Sequence, residues 1–206
     1  MASDSGWWKA FLDTIPDGYL DLVAAEEDAR RIVHFHHTFI PGLLQTESYA
    51  TAITPTTTLK SLTTRDAETL VKVRLLRQQA ALNDSSRKEL VFLIDESSLR
   101  RPVGSPATMR EQLRHLLDMT EHPGVTLIVL PFQAQPHPGL LGPFMLMQYG
   151  EGLGDVLCLE WQLGNVVIRN RPELVRRYRE LAENLVRTDP RGVASRLQIS
   201  ATLGES

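Results

Sequence analysis

Three histidines lie within four residues of one another, His34, His36 and His37. On an extended strand alternate side chains share a face, so His34 and His36 would point the same way. Two imidazoles on one face begin a zinc or nickel site, but no third ligand follows at a recognisable spacing, and the alternative is a solvated or hydrogen-bonded strand face. His115 and His122 are weaker candidates still. Glu160 is a carboxylate in the otherwise apolar strand that follows Asp155 and ends at Trp161. Buried there, it would have a raised pKa and act as an acid or base; otherwise it faces solvent or pairs with an arginine. Glu96, Arg100 and Arg101 follow the apolar run Leu90–Ile94, near a strand end where α/β sheets often place ligands. A carboxylate with two guanidinium groups would bind a polar metabolite or an acidic segment, or would form an ion-pair network holding the loop to a neighbouring helix.

Two further candidates are loops. His137 lies in the Pro/Gly-rich segment Gln133–Pro143, which reads either as a lid over a pocket or as a solvated connection. Pro41, Leu43, Leu44 and Gln45 would make a partner-docking turn if the leucines are exposed beside the glutamine. The plainer reading is a Pro-Gly turn whose leucines close the core. Cys158, inside an apolar strand, reads as a small core residue rather than a nucleophile. No nucleophile elbow, phosphate-cradling glycine loop or nucleotide fingerprint occurs, so no catalytic residue, cofactor or metal is assigned.

The elements that must position these residues follow from periodicity and turn chemistry. Trp7, Trp8, Phe11 and Leu12, continued by Tyr19, Leu20, Leu22 and Val23, read as a broken helical stretch. Arg31–His37 is a short strand ended at Pro41-Gly42, and Leu43–Ile53 returns to helix. Thr64 caps a helix from about Arg65 to Leu82 with apolar residues on two faces, which suggests burial or a dimer seam. Leu90–Ile94 and Val125–Leu130 are almost uniformly apolar and are expected as central strands covered on both sides. Between them Ser105-Pro106 opens a helix with Met109, Leu113, Leu116 and Leu117 on one stripe, long enough for a parallel crossover. Phe144–Tyr149, Asp155–Trp161 and Asn165–Arg169 form an antiparallel meander. Pro172 starts a helix through about Val186, and a short final helix carries Val193 and Leu197. The expected class is therefore α+β: a central mixed sheet of five or six strands, flanking helices and a C-terminal helical segment.

The bulk numbers narrow the setting. The 206 residues, 42% hydrophobic, suffice for one sizeable core, and we read them as a single domain over 1–206. A net charge of −3 does not give the positive field of a free-standing nucleic-acid binder. One cysteine excludes an intramolecular disulfide and fits a reducing cytoplasm. No apolar stretch approaches the roughly 20 residues of a bilayer span, so no membrane role is expected.

Several pieces then look familiar in combination: Ile40-Pro-Gly-Leu-Leu-Gln-Thr46 with Tyr49-Ala50, Arg74 to Gln78, Glu96 to Gly104, Met109 with Gln112-Leu113, Val129 to Phe132, Gly142-Pro-Phe144, and Glu160. In order and spacing they resemble the effector-like domain of unknown function that follows a helix-turn-helix in actinobacterial XRE-type regulators, including antitoxin-like and WhiJ-like ones. The resemblance spans about Trp8 to Ile199. It implies a regulatory setting and a small operon-encoded partner protein or small-molecule effector. No helix-turn-helix precedes Trp8, so no direct nucleic-acid binding by these residues is expected. The expectation is thus a ligand- or partner-binding regulatory domain, functioning as a homodimer. The alternatives are a stand-alone enzyme of specialised metabolism using the same pocket, and a pure dimerisation module.

Overall fold

A computed structural model describes residues 11, 15, 17–57, 62–83, 88–150, 152–161, 164–189 and 191–204. Trp7, Trp8 and Leu12, expected to open an apolar segment, lie outside them. The chain runs α1 (Asp17–Glu27), β1 (Arg31–His36), a 3₁₀ turn (Gly42–Leu44), α2 (Glu47–Thr57) and α3 (Thr64–Asn83). After these come β2 (Glu89–Asp95), α4 (Glu96–Arg100), α5 (Pro106–Met119) and β3 (Val125–Leu130). A second 3₁₀ turn (Pro138–Leu141) leads into β4 (Phe144–Gln148), β5 (Val156–Trp161) and β6 (Gly164–Ile168), and the helices α6 (Pro172–Val186) and α7 (Val193–Gly204) finish it. The six strands form one mixed sheet in the order β3-β2-β1-β4-β5-β6. β1, β2 and β3 are parallel, and β4 to β6 are an antiparallel meander joined to β1. The fold is α+β, with a six-stranded mixed sheet and a C-terminal helix.

The two-residue period of β1 divides the core. Ile32 packs with Leu90, Phe92 and Met145 under Leu22 of α1, Tyr49 of α2, Ala81 of α3 and Leu113 of α5. Val33 and Phe35 point the other way and meet Val175, Ala182 and Leu185 of α6. One face thus carries several helices and the other a single amphipathic one. His34 shares the first face with Ile32, which places it under the helices. α1 lies close on β6, for a Cβ at Gly18 would come within 2.6 Å of the Asn165 carbonyl oxygen.

Several expectations need correction. The helix after the first strand breaks into a 3₁₀ turn and α2, because Pro41 and the extended backbone at Gln45 interrupt the ladder. The cap of α3 is Thr63, not Thr64: its hydroxyl accepts from the Asp66 amide and donates to the Asp66 carboxylate. Val193 and Leu197 are exposed, and α7 instead buries Ser195, Ile199 and Thr202.

The largest correction concerns β3, which lies at the sheet's edge and not at its centre. Its apolar side chains are nonetheless buried, because α7 covers the free edge. Ser195 Oγ accepts from the Val129 amide at 2.7 Å and is held by Asp189 at 2.6 Å. Gly192, at φ +65°, lets the chain approach so closely that a Cβ would stand 2.6 Å from the Leu127 carbonyl oxygen. A covered edge cannot template a second chain. Ser195→Ala would leave the Val129 N–H buried without a partner, an expected loss of about 1–3 kcal/mol in urea unfolding. A loss under a few tenths would show that the edge is hydrated.

Candidate functional site

A cavity of about 1210 Å³ opens between the end of the sheet and the helices, a volume at or above the roughly 300–1,000 Å³ usual for small-molecule sites. Its polar lining comes from β1 (His34, His36), β5 (Glu160), α3 (Arg74, Arg77) and Gln45. Leu22, Ile40, Ile53 and Leu159 supply apolar wall. The lining also reaches Tyr178 of α6, which packs edge-to-face on Phe144 on the other side of the sheet. The cavity therefore passes around the sheet's end, at Pro143, instead of remaining on one face.

At its floor His34 Nε2 stands 2.8 Å from Glu160 Oε1. Both residues belong to the same sheet face, two strands apart across β4. The approach is not aligned as a hydrogen bond, and neither ring nitrogen of the buried His34 has a hydrogen-bond partner. Burial pushes the Glu160 carboxyl up, but the neighbouring His34, with His36 and Arg77 behind it, overrides this and holds it at about 2. The raised pKa expected for Glu160 is thus reversed: it sits among cationic and imidazole groups, not in an apolar strand environment. His36 behaves oppositely. Burial, with smaller effects from its neighbours, lowers it to about 4, and its Nδ1 accepts from the Thr38 and Phe39 amides at 3.2 and 3.1 Å. An Nδ1 that accepts carries no proton, so the proton resides on Nε2. His36 is therefore a neutral donor at the cavity wall. Among the described residues, no group of three or more His, Cys, Asp or Glu is placed to hold a metal ion.

The helical wall holds two arginines with different partners. Arg77 makes a two-point contact with Glu26 of α1, at 2.7 and 2.5 Å, and its guanidinium lies 5.3 Å from the Tyr19 ring. Burial alone would lower the Arg77 pKa, but the Glu26 charge reverses this and holds it well above its ordinary value. Arg74, one turn earlier, donates to Gln45 Oε1 at 2.5 Å. No carboxylate among the described residues pairs with it, and burial lowers its pKa.

The turn carrying Gln45 is fixed from several sides. Gln78 Nε2 donates to the Gly42 and Gln45 carbonyls. The fully buried Gln112 of α5 donates to the Leu44 carbonyl and accepts from the Thr46 amide. Gln45 Nε2 bonds the Ile40 carbonyl. Pro41, Leu43 and Leu44 are buried, so the exposed-leucine docking turn does not exist. The leucines close the core and the glutamines satisfy the backbone of a turn enclosed by protein.

Of the residues singled out in the sequence, the structure brings His34, His36, His37, Gln45 and Glu160 to the cavity. Glu96, Arg100 and Arg101 lie outside its lining. Glu96 pairs with Arg100 at 2.8 Å and accepts from the Phe132 amide, tying α4 to the loop after β3, while Arg101 is exposed. His137 packs edge-to-face on Phe35, and only the end of its loop, Leu141 to Pro143, borders the cavity. Cys158 is buried in the core, and burial raises its thiol to about 12, so it is no nucleophile. Arg74 and Arg77 appeared in a recognisable stretch but not as site residues. A signal was present: Arg74, Arg77 and Gln78 stand at i, i+3 and i+4, so three polar side chains share one side of α3, and Arg77 and Gln78 are buried there.

No helix among the described residues is long and apolar enough to cross a membrane. No curated protein and no solved structure matches the chain. A family model does, over residues 19–197, its description being a domain of unknown function, DUF5753. That match takes in β1, α3 and β5, which frame the cavity, together with the whole sheet, and the chain belongs to the DUF5753 family.

Proposed function

We propose that this domain is a small-molecule-binding module, and that in the regulatory setting implied by its sequence resemblance the bound ligand sets the state of an attached or associated partner. The cavity carries this reading: it is large, it has apolar walls, and His36, Gln45, Arg74 and Glu160 converge on it. A docking module for a protein partner needs no such cavity, and a dimerisation module would use a flat apolar surface instead. Gly42 offers a direct test, since a Cβ there would lie 3.8 Å from Arg74 Nε in ordinary contact. Gly42→Leu should therefore seat its Cβ without a clash and direct the rest of its side chain toward Arg74 and Arg77, and circular dichroism checks that the fold is kept. A ligand at one hundred times its Kd stabilises the folded state by about 2.7 kcal/mol. A thermal-shift screen of small organic acids, amines and neutral compounds should yield hits that raise Tm by several degrees and vanish in Gly42→Leu. A screen without hits, or hits that shift both proteins equally, would count against the cavity.

A second reading, a stand-alone enzyme, is favoured by one observation: a carboxylate and two imidazoles, Glu160, His34 and His36, converge at the cavity, with His34 Nε2 2.8 Å from Glu160 Oε1. Under it, a screening hit incubated with the protein is converted, and Glu160→Gln abolishes conversion. A hit recovered unchanged favours binding alone.

A further inference from the structure

Three charged groups at the cavity differ in what stands against them. Arg77 has the Glu26 carboxylate on two contacts. Glu160 has His34 against it at 2.8 Å. Arg74 has a single described acceptor, the neutral amide oxygen of Gln45. A guanidinium presents five N–H donors and keeps its charge in a protein, and burying it without a counter-charge is costly unless something supplies one. Arg74 is half-buried at the cavity wall, with the Glu160 carboxylate acting on it only at a distance, so a ligand in the cavity can meet the N–H donors that Gln45 leaves unused. His36 Nε2–H adds a neutral donor at the same wall, its Nδ1 being occupied by backbone amides.

The number of charges narrows the ligand further. Arg74 has no described carboxylate in direct contact, which favours a negative charge on the ligand, while a dianion would be repelled more strongly by the Glu160 carboxylate at the same cavity. Shape narrows it again, for the lining continues from Tyr19 and Arg74 past His36 and Pro143 to Leu141 and Tyr178. Beyond the polar end these walls are largely apolar. Leu141 is 92% exposed and Val166 50% exposed, and both border the cavity, so an apolar ligand body would cover them.

We infer that the cavity takes an elongated organic monocarboxylate, with its carboxylate forked onto the Arg74 guanidinium and its apolar body running past His36 and Pro143 toward Tyr178. This rests on the ligand-site reading above and specifies the ligand class. Fork-to-fork pairing of guanidinium and carboxylate is charge-assisted and geometrically selective, whereas a neutral head group leaves Arg74 without a carboxylate in direct contact.

The test is isothermal titration of the full chain with octanoate and 4-phenylbutyrate, beside 1-octanol and 4-phenylbutanol as neutral counterparts and octyl phosphate as the more highly charged one. The wild-type protein should bind each acid roughly 10- to 100-fold more tightly than its alcohol, the range expected for a charge-assisted hydrogen-bond pair, and more tightly than octyl phosphate. Arg74→Gln should abolish the acid preference while alcohol binding persists, and Arg74→Lys should retain part of it. Should Arg74→Gln fail to fold by circular dichroism, the wild-type comparison and Arg74→Lys decide. Equal binding of acid and alcohol, tighter binding of octyl phosphate, or a preference that survives Arg74→Gln would overturn the monocarboxylate assignment and leave the cavity as a ligand site. No binding by any of the five probes would overturn both.

Discussion

Replacing Arg77 by leucine is expected to destabilise the domain by about 3–5 kcal/mol, the usual consequence of removing one partner of a buried ion pair. For a domain whose total stability is on the order of 5–15 kcal/mol, that is a third or more of the margin. The side chains of Arg77 and Glu26 are only 8% and 6% exposed, so the carboxylate left behind could not recover its hydration. Glu26 is also at the end of α1, where Lys88 Nζ bonds the Glu26 carbonyl at 2.8 Å, so the loss would reach the contact between α1, α3 and the start of β2. Glu26→Gln should be comparably harmful for the converse reason, an unpaired guanidinium next to Arg74. The double replacement Glu26→Leu/Arg77→Leu should recover most of the loss, because a neutral pair of similar volume no longer has a desolvated charge. Urea unfolding of the three variants checks this. Single-variant losses below about 1 kcal/mol, or a double variant as poor as the sum of the singles, would mean the pair is hydrated.

The second large effect is with pH. His36 titrates at about 4 when folded, against an ordinary 6.5, and Glu160 at about 2 against 4.5. Between pH 6.5 and 4 the unfolded chain binds the His36 proton that the folded protein refuses, and between 4.5 and 2 the same holds for Glu160. Acidification therefore favours unfolding at both groups, and each contributes up to about 3 kcal/mol of stability that is present above its unfolded pKa and lost below its folded one. His115 and His137, both lowered by burial, act in the same direction. Structurally, protonating His36 at Nδ1 would cost the Thr38 and Phe39 amides their acceptor. Urea midpoints should fall steadily from pH 7 to 4.5, and His36→Asn should flatten the upper part of that slope. Stability independent of pH over this range would contradict the half-buried, neutral imidazole.

The sheet was legible because its signals are local. Uniform apolar runs marked β2 and β3, Gly-containing turns separated β4 to β6, and Ser105-Pro106 placed the start of α5 at the observed residue. The position of β3 was not legible, because uniform burial looks the same whether a strand is flanked by two strands or by one strand and a helix, and only Ser195, 66 residues away, distinguishes them. The cavity was half legible. Glu160 and the same-face pair His34 and His36 could be named from strand periodicity, but their meeting depends on strand order, with β4 inserted between β1 and β5. Arg74 escaped notice for a similar reason, since a charged residue on a two-sided helix reads as solvated until the tertiary fold closes over it. Leu43 and Leu44 misled in the other direction: a Pro-Gly turn is normally at the surface, and here side-chain amides from α3 and α5 meet its backbone so that it can lie inside.

The central claim is that the space around Arg74, His36 and Glu160 holds a small molecule. It is tested most directly by native mass spectrometry of the protein isolated from its own cells without harsh desalting, wild type beside Gly42→Leu. We expect the wild-type protein to carry a single small-molecule adduct, released on acid denaturation as an organic acid, and Gly42→Leu to appear at its bare mass. A wild-type protein at its bare mass, or a bound protein subunit with no small-molecule adduct, would contradict the account.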